Sequence, residues 1–196
     1  MTSYAPPSTV YRYNVAIRLL HLALVLLCLA GWASWQFADD YKNAGHLGFS
    51  VHKWIGIGFA VAISLRVLYG LIGPRATCFA NWFPFTVSNL KLSAQDLLQL
   101  ARFRVLEREP HEGIAGLVQG IGMLAFIAIA ATGVVMALYL APGSRTTGWL
   151  HGVKEIHELA QQIIPVYLVL HVGGVAVHAL IGQDLWRSMF FLAPRR

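Results

Sequence analysis

Four long apolar segments constrain this chain more than any other feature of its sequence. They cover residues 14–37, 51–73, 113–141 and 153–181, and each has the roughly twenty residues that an α-helix needs to cross the hydrocarbon layer of a membrane. Of the 196 residues, 57% are hydrophobic and 12% are charged, and the mean hydropathy is +0.58. The sequence therefore predicts an all-α integral membrane protein, a single membrane domain over residues 1–196 built as an up-down-up-down four-helix bundle.

The basic residues predict how this bundle is oriented. The net charge of +6 follows the topology and does not form a patch for nucleic acid. Ten basic residues lie in the amino tail, the 74–112 connection and the carboxyl end, namely Arg12, Arg18, Arg75, Lys91, Arg102, Arg104, Arg108, Arg187, Arg195 and Arg196. The opposite side carries Lys42, Lys53, Arg145 and Lys154. Because cytoplasmic segments hold the excess of Lys and Arg, both termini are expected in the cytoplasm.

The segments outside the apolar helices suggest little further structure. The first helix follows a short polar tail without a small-residue cleavage site, so we expect a retained helix and not a signal peptide. In the 74–112 connection, LSAQDLLQLARFRVLE over 92–107 has apolar residues at helical spacing. This pattern predicts a surface helix on the inner face of the membrane or against the bundle, with docking of a partner as the alternative.

Histidines occur at two depths of the predicted bundle. The segment HELAQQIIPVYLVLH carries His157 and His171 fourteen residues apart, which places them on one helix face and about 21 Å apart along its axis. His52, at the start of the second helix, shares the outer level with His157, because the chain crosses the membrane once between neighbouring helices. His21, near the start of the first helix, shares the inner level with His171.

Two facing imidazoles in an apolar bundle suit a low-spin haem iron, which takes one axial ligand on each side of an apolar plate. A structural zinc ion is a poorer match, since it requires four ligands around one point. No Cys-x-x-Cys-His motif is present in the sequence, and Cys28 and Cys78 lack metal-ligand spacing, so the cofactor would be non-covalent haem b. Two haem b groups are therefore predicted, with four axial ligands: His21, His52, His157 and His171.

Other polar residues near these levels have two interpretations each. Arg66 lies fourteen residues after His52 and could pair with a haem propionate or extend to the interface. His178 could contact a propionate or a quinone head group, or simply face the interface. Three further histidines in loops or at helix ends are expected not to bind metal: His46, His111 and His151.

With the histidines placed, the sequence resembles the bacterial cytochrome b561 and nickel-hydrogenase b-type cytochrome family. The likeness rests on RLLH in the first helix, on HKWIGIGFAVAISLRVLYGLIGPRATCFANW through the second, and on IHELAQQIIPVYLVLHVGGVAVH in the fourth. The resemblance implies a four-helix, dihaem inner-membrane cytochrome that carries electrons between the quinone pool and a redox partner protein. It also implies the same four histidines as haem ligands.

Three functions follow from these patterns. The first is an electron-transfer subunit of a respiratory chain, whose six-coordinate haems offer a substrate no open position. The second, which the resemblance also implies, is a self-contained superoxide:quinone oxidoreductase, in which Lys53 and Lys154 near the outer haem would attract an anionic substrate. The third is a structural anchor or transporter subunit, in which all four histidines would be packing residues.

Overall fold

The described part of the chain is entirely helical. The computed structural model describes residues 13–37, 47–74, 78–79, 83–102, 104–106, 108, 111–140, 146–182 and 185–190, and within these it contains no strand. The helices are α1 (Val15–Phe37), α2 (Leu47–Ile72), α3 (Val87–Leu100), α4 (Gly113–Tyr139), α5 (Trp149–Leu180) and α6 (Leu185–Met189). His46 and the charged residues Arg12, Lys42, Arg75, Arg145, Arg195 and Arg196 lie outside the described residues.

Four of these helices are long and apolar enough to cross a membrane. The spans cover Val15–Trp35 in α1 and the whole lengths of α2, α4 and α5, so the predicted set of four apolar helices is confirmed. Helix α2 starts four residues before its predicted bound and α5 starts four residues before its own. At α5 the preceding Gly148 has a φ of +57°, a conformation that glycine adopts without strain, and the helix begins directly after it.

Small residues bring the spanning helices together. Helix α1 packs on α2, α2 on α4, and α4 on α5. The central cluster is formed by Phe59, Ala60, Ile63 and Ala130. On α4, a Cβ added at Gly122 would collide with the Tyr167 ring of α5. Such contacts allow close approach of helix backbones, on which association depends in a lipid environment.

Helix α3 differs from its predicted position. It runs from Val87 to Leu100 and not over 92–107, because the Thr86 hydroxyl accepts a hydrogen bond from Asn89 N at 3.1 Å and so caps an earlier start. At the other end, the backbone amides of Arg102 and Arg104 both donate to Gln99 O at 2.9 Å. The chain therefore leaves the helical path near residue 101.

Polar side chains of α3 dock it on the first turn of α4. Asn89 Oδ1 accepts from Gly113 N at 2.7 Å, and Asp96 Oδ2 accepts from Ile114 N at 3.0 Å. Asp96 also forms an ion pair with Arg108 at 2.5 Å. Since the first amides of a helix have no partner within the helix, α3 supplies the acceptors that α4 lacks.

Candidate haem-binding sites

The outer site is a cavity enclosed by all four spanning helices. His52 of α2 and His157 of α5 both line it. Its walls are mainly aliphatic and aromatic and include Gly31 of α1, Gly56 of α2 and Gly133 of α4. A Cβ on Gly133 would lie 3.3 Å from His157 Cε1. An apolar cavity with two imidazoles suits a flat apolar cofactor with a metal at its centre.

Hydrogen bonds assign the proton of His52 to Nδ1. This nitrogen lies 3.2 Å from Gly31 O and 3.1 Å from Ser34 Oγ, and a carbonyl oxygen can only accept. The Ser34 hydroxyl donates to the same Gly31 O at 2.8 Å. With Nδ1 protonated in the neutral imidazole, the lone pair of His52 Nε2 is available to a metal.

His157 is oriented in the same way. Its Nδ1 lies 2.9 Å from Thr132 Oγ1, and the Thr132 hydroxyl donates to Ala128 O at 2.6 Å. The hydroxyl oxygen is therefore an acceptor for Nδ1–H, as is the backbone carbonyl of Ile129, and Nε2 of His157 keeps its lone pair. Partners of this kind fix the ring and the tautomer of a metal-binding histidine.

The inner histidines face each other directly. The ring centroids of His21 and His171 are 6.4 Å apart and the ring planes are inclined by 86°. Two imidazoles on opposite sides of one metal, with metal–nitrogen bonds of about 2 Å, have centroids roughly 6 Å apart. The observed spacing thus accommodates one iron between the rings. Phe190 packs on His21 at 5.9 Å.

Arg66 supplies a buried positive charge near the inner pair. It lies within electrostatic range of His21, and its guanidinium carbon is 5.4 Å from the centre of the Phe79 ring. Its Nη1 is buried and has no hydrogen-bond partner among the described residues. A buried guanidinium nitrogen needs an acceptor, so an anionic group of a cofactor, such as a haem propionate, fits here.

The remaining polar residues of the sequence analysis lie near the two ends of the bundle. Lys53 and Lys154 line the outer cavity, and Lys154 pairs with Glu158 at 2.7 Å. His178 lies in the last turn of α5, seven residues beyond His171. His151 is exposed and lies 3.5 Å from Glu155. Within the described part of the chain, no cluster of three or more His, Cys, Asp or Glu is arranged to hold a metal ion.

His111 lies between α3 and α4. Its Nδ1 donates to Gln119 Oε1 at 2.8 Å. Burial lowers the pKa of His111, the hydrogen bond to Gln119 opposes this, and the charge of Arg66 lowers the pKa further. It lies outside the two histidine pairs, and that it does not bind metal stays a prediction.

Two residues of the outer site, Ser34 and Thr132, were missed in the sequence. Both hydroxyls hydrogen-bond within their own helices, to Gly31 O and Ala128 O, so neither looks unusual in an apolar segment. A signal that could have found them is their placement on a neighbouring helix. Ser34 lies on α1 beside His52 of α2, and Thr132 lies on α4 beside His157 of α5.

Comparison with known proteins identifies the family. The family model described as prokaryotic cytochrome b561 matches residues 12–192. Comparisons with curated proteins and with solved structures gave no significant match. The matched region includes all four spans and both histidine pairs. The chain therefore belongs to the prokaryotic cytochrome b561 family, and is a multi-pass bacterial membrane protein that binds b-type haem and transfers electrons.

Proposed function

We propose that the chain is a dihaem cytochrome that carries electrons across the bacterial inner membrane between the quinone pool and a redox partner protein, as part of respiratory electron transfer. In this proposal His52 and His157 hold the outer haem b, and His21 and His171 hold the inner one. Bound haem supplies an iron that alternates between its ferric and ferrous states.

The observation that carries the proposal is the presence of two histidine pairs at two depths. At the outer level both Nδ1 atoms are held by acceptors, through Gly31 and Ser34 for His52 and through Thr132 for His157. At the inner level the ring centroids are 6.4 Å apart. The helical rise separates the two levels by about 21 Å. Two imidazoles per iron leave no open position, which favours electron relay over chemistry at the metal.

Arg66 and His178 have proposed roles at the inner end. The buried Nη1 of Arg66, which has no acceptor among the described residues, would hold a propionate of the inner haem. A charge-assisted hydrogen bond of this type is stronger than a neutral one. His178, two helical turns beyond His171, would contact the second propionate or a quinone head group.

The orientation is part of the same proposal. The excess of basic residues on the side of the 74–112 connection supports cytoplasmic amino and carboxyl ends. A reporter that is active only in the periplasm should stay silent when fused after Arg196. Strong periplasmic activity would reverse the orientation and exchange the inner and outer levels.

A reduced-minus-oxidised absorption spectrum with haem quantitation tests the proposal. The purified chain should contain two b-type haems per polypeptide, both low-spin, with no covalently attached haem after acid extraction. One haem per chain would refute the two-level arrangement. A high-spin ferric spectrum would show that a coordination position is open.

The second candidate is a superoxide:quinone oxidoreductase that works without a protein partner. It is favoured by Lys53, which lines the outer cavity and would attract a small anion, whereas the charge of Lys154, also on the cavity wall, is offset by its ion pair with Glu158. The purified chain, given superoxide and a short-chain quinone, should then reduce the quinone at a rate that falls with ionic strength. Absence of this reaction in a protein with full haem content would favour the electron-transfer subunit.

A further inference from the structure

Helix α3 turns three polar residues toward the bundle and most of its apolar residues outward. The side chains that face the bundle include Asn89 and Ser93, which are buried, and Asp96, which forms the ion pair with Arg108. The opposite side carries an exposed apolar stripe at positions 87, 90, 94, 97 and 98, each of which has another member of the stripe three or four residues away along the helix. A helix on the surface of a soluble protein has the reverse arrangement.

The large residues of this stripe are well exposed. Val87 is 71%, Leu90 44%, Leu97 54% and Leu98 63% accessible. Phe83, just before the helix, is 57% accessible and contacts Phe85 edge to face at 5.6 Å. The outward residues Phe83, Val87, Leu90, Leu97 and Leu98 are called the α3 face below. An apolar area of this kind marks a surface that contacts lipid or protein.

The segment that leads into α3 packs beside the first two turns of the spanning helix α4. Pro84 packs so closely on Gly120 that a Cβ there would collide with it, and Phe85 Cζ would lie 3.1 Å away. Gly120 lies seven residues after the start of α4, which is about 10 Å along the helix axis. The residues that lead into α3 therefore lie beside the spanning part of α4.

Basic residues accompany the α3 face. Lys91 lies next to the apolar stripe, and Arg102 and Arg104 follow the end of the helix; all three are exposed. Apolar side chains with Lys and Arg at their border are typical of helices that lie in the interface of a membrane with anionic lipids. A face that starts about 10 Å along the spanning helix α4 suits the lipid boundary better than a water-soluble partner.

We propose that the α3 face is a docking surface for an anionic lipid leaflet. Its apolar residues enter the boundary between head groups and acyl chains, and Lys91, Arg102 and Arg104 contact lipid phosphates. Through Asn89 and Asp96, which bind the first amides of α4, this docking fixes the depth of the α4 start. The docking is independent of the haem sites.

Spin labels on α3 test the proposal in the full-length holoprotein, reconstituted in phosphatidylglycerol nanodiscs. With Cys28 and Cys78 replaced by Ala, a single cysteine is introduced as Leu98→Cys or Val87→Cys. Matched controls use exposed polar neighbours, Gln95→Cys and Ser88→Cys. The collision rate of each label is measured with oxygen, which concentrates in acyl chains, and with a water-soluble nickel chelate. Haem content and the absorption spectrum verify that each labelled bundle is intact.

Labels at 98 and 87 should have an oxygen-to-nickel collision ratio several-fold higher than labels at 95 and 88. Equal ratios, with high nickel access throughout, would place the face in water and overturn the proposal. A label at 98 that is shielded from both reagents would also overturn it, because a protein surface would then cover the face.

The basic residues are tested on the Leu98→Cys background by the triple change Lys91→Glu, Arg102→Glu and Arg104→Glu. The oxygen-to-nickel ratio should fall several-fold in phosphatidylglycerol discs and change little in zwitterionic phosphatidylcholine discs. An equal fall in both lipids, or no fall in either, would refute the contribution of anionic head groups.

Discussion

Tyr167 lies flat against His171, with ring centroids 5.3 Å apart and planes inclined by 15°. On its other side Tyr167 meets Phe126 edge to face at 5.2 Å, and Gly122 leaves the space that the tyrosine ring occupies. The ring of His171, a proposed haem ligand, is thus held by Tyr167, which in turn packs on α4. The orientation of a metal-binding side chain is fixed when the side chains packed around it cannot move.

Replacing Tyr167 with Leu should remove this support, whereas Tyr167→Phe keeps the stacked ring and serves as the control. We expect the Leu variant to change the low-spin EPR signal and the midpoint potential of the inner haem, because His171 is then free to rotate. The Phe variant should match the unmodified protein. If both variants behave alike at full haem content, the stack does not hold His171 in place.

Removing one imidazole should affect one haem selectively. His157→Ala should lose the outer haem and retain the inner one, and His171→Ala should do the reverse, because each pair serves one level. Haem quantitation with a reduced-minus-oxidised spectrum measures the loss. His151→Ala, an exposed histidine on the same helix, is the control and should retain both. Loss of the same haem in the two ligand variants would contradict the pairing.

Thr132→Val, which is nearly isosteric, should weaken the outer site without removing a ligand. The change deletes one of two acceptors for His157 Nδ1–H and leaves the Ile129 carbonyl; loss of such a partner typically weakens metal binding about 10–100-fold. A less basic imidazole stabilises ferric iron less well, so the outer potential should rise. Redox titration checks the direction, and Thr132→Ser, which keeps the hydroxyl, should restore the original value. A fall in potential would contradict this hydrogen-bond assignment.

The spans and the two histidine levels could be predicted because both depend on distances along the chain. An apolar run of about twenty residues fixes a span, and the rise of the α-helix fixes how deep His157 and His171 lie within it. Neither argument requires knowledge of which helix face meets which neighbour. This is why the outer and inner histidines could be grouped before any packing was known.

The remaining features depend on tertiary contacts. The start of α3 was missed because its position depends on packing against α4. The Thr86 cap starts the helix where Asn89 can accept a hydrogen bond from Gly113 N. The inward direction of Asp96 could not be read from an amphipathic pattern, since that pattern assumes that the polar side faces water. The acceptor role of Thr132 likewise depends on the approach of α4 to α5.

His111 should make the junction between α3 and α4 sensitive to acid. Burial lowers its pKa from the usual 6.5, so the folded protein favours the neutral ring whereas the unfolded segment binds a proton near pH 6.5. The stabilisation is therefore present above that value and is lost as the pH falls below it toward the lower folded pKa. Thermal unfolding of the holoprotein at about pH 7.5 and about pH 5.5 measures the loss.

The control for this experiment is His111→Asn. His111 has a φ of +72°, and asparagine tolerates the left-handed region better than most residues. The Asn variant should be less stable at neutral pH, and its stability should depend less on pH over the same interval. An unchanged pH dependence would assign the acid sensitivity to other groups.

Arg66 provides the sharpest test of the inner site, since its Nη1 is buried without an acceptor among the described residues. If its charge faces a propionate, Arg66→Leu leaves that carboxylate uncompensated in an apolar setting, where a lone charge is costly. Reduction adds negative charge to the haem, so loss of the nearby cation should make reduction harder and lower the inner potential. The potential of the outer haem, about 21 Å away by the helical rise, should shift much less.

The control is Arg66→Lys, which keeps the charge. Its inner potential should lie close to that of the unmodified protein, although a lysine cannot bind the carboxylate in the two-point manner of arginine. Redox titration at full haem content decides the question: an inner potential that does not move, or an outer potential that moves more, would show that Arg66 does not face the inner haem.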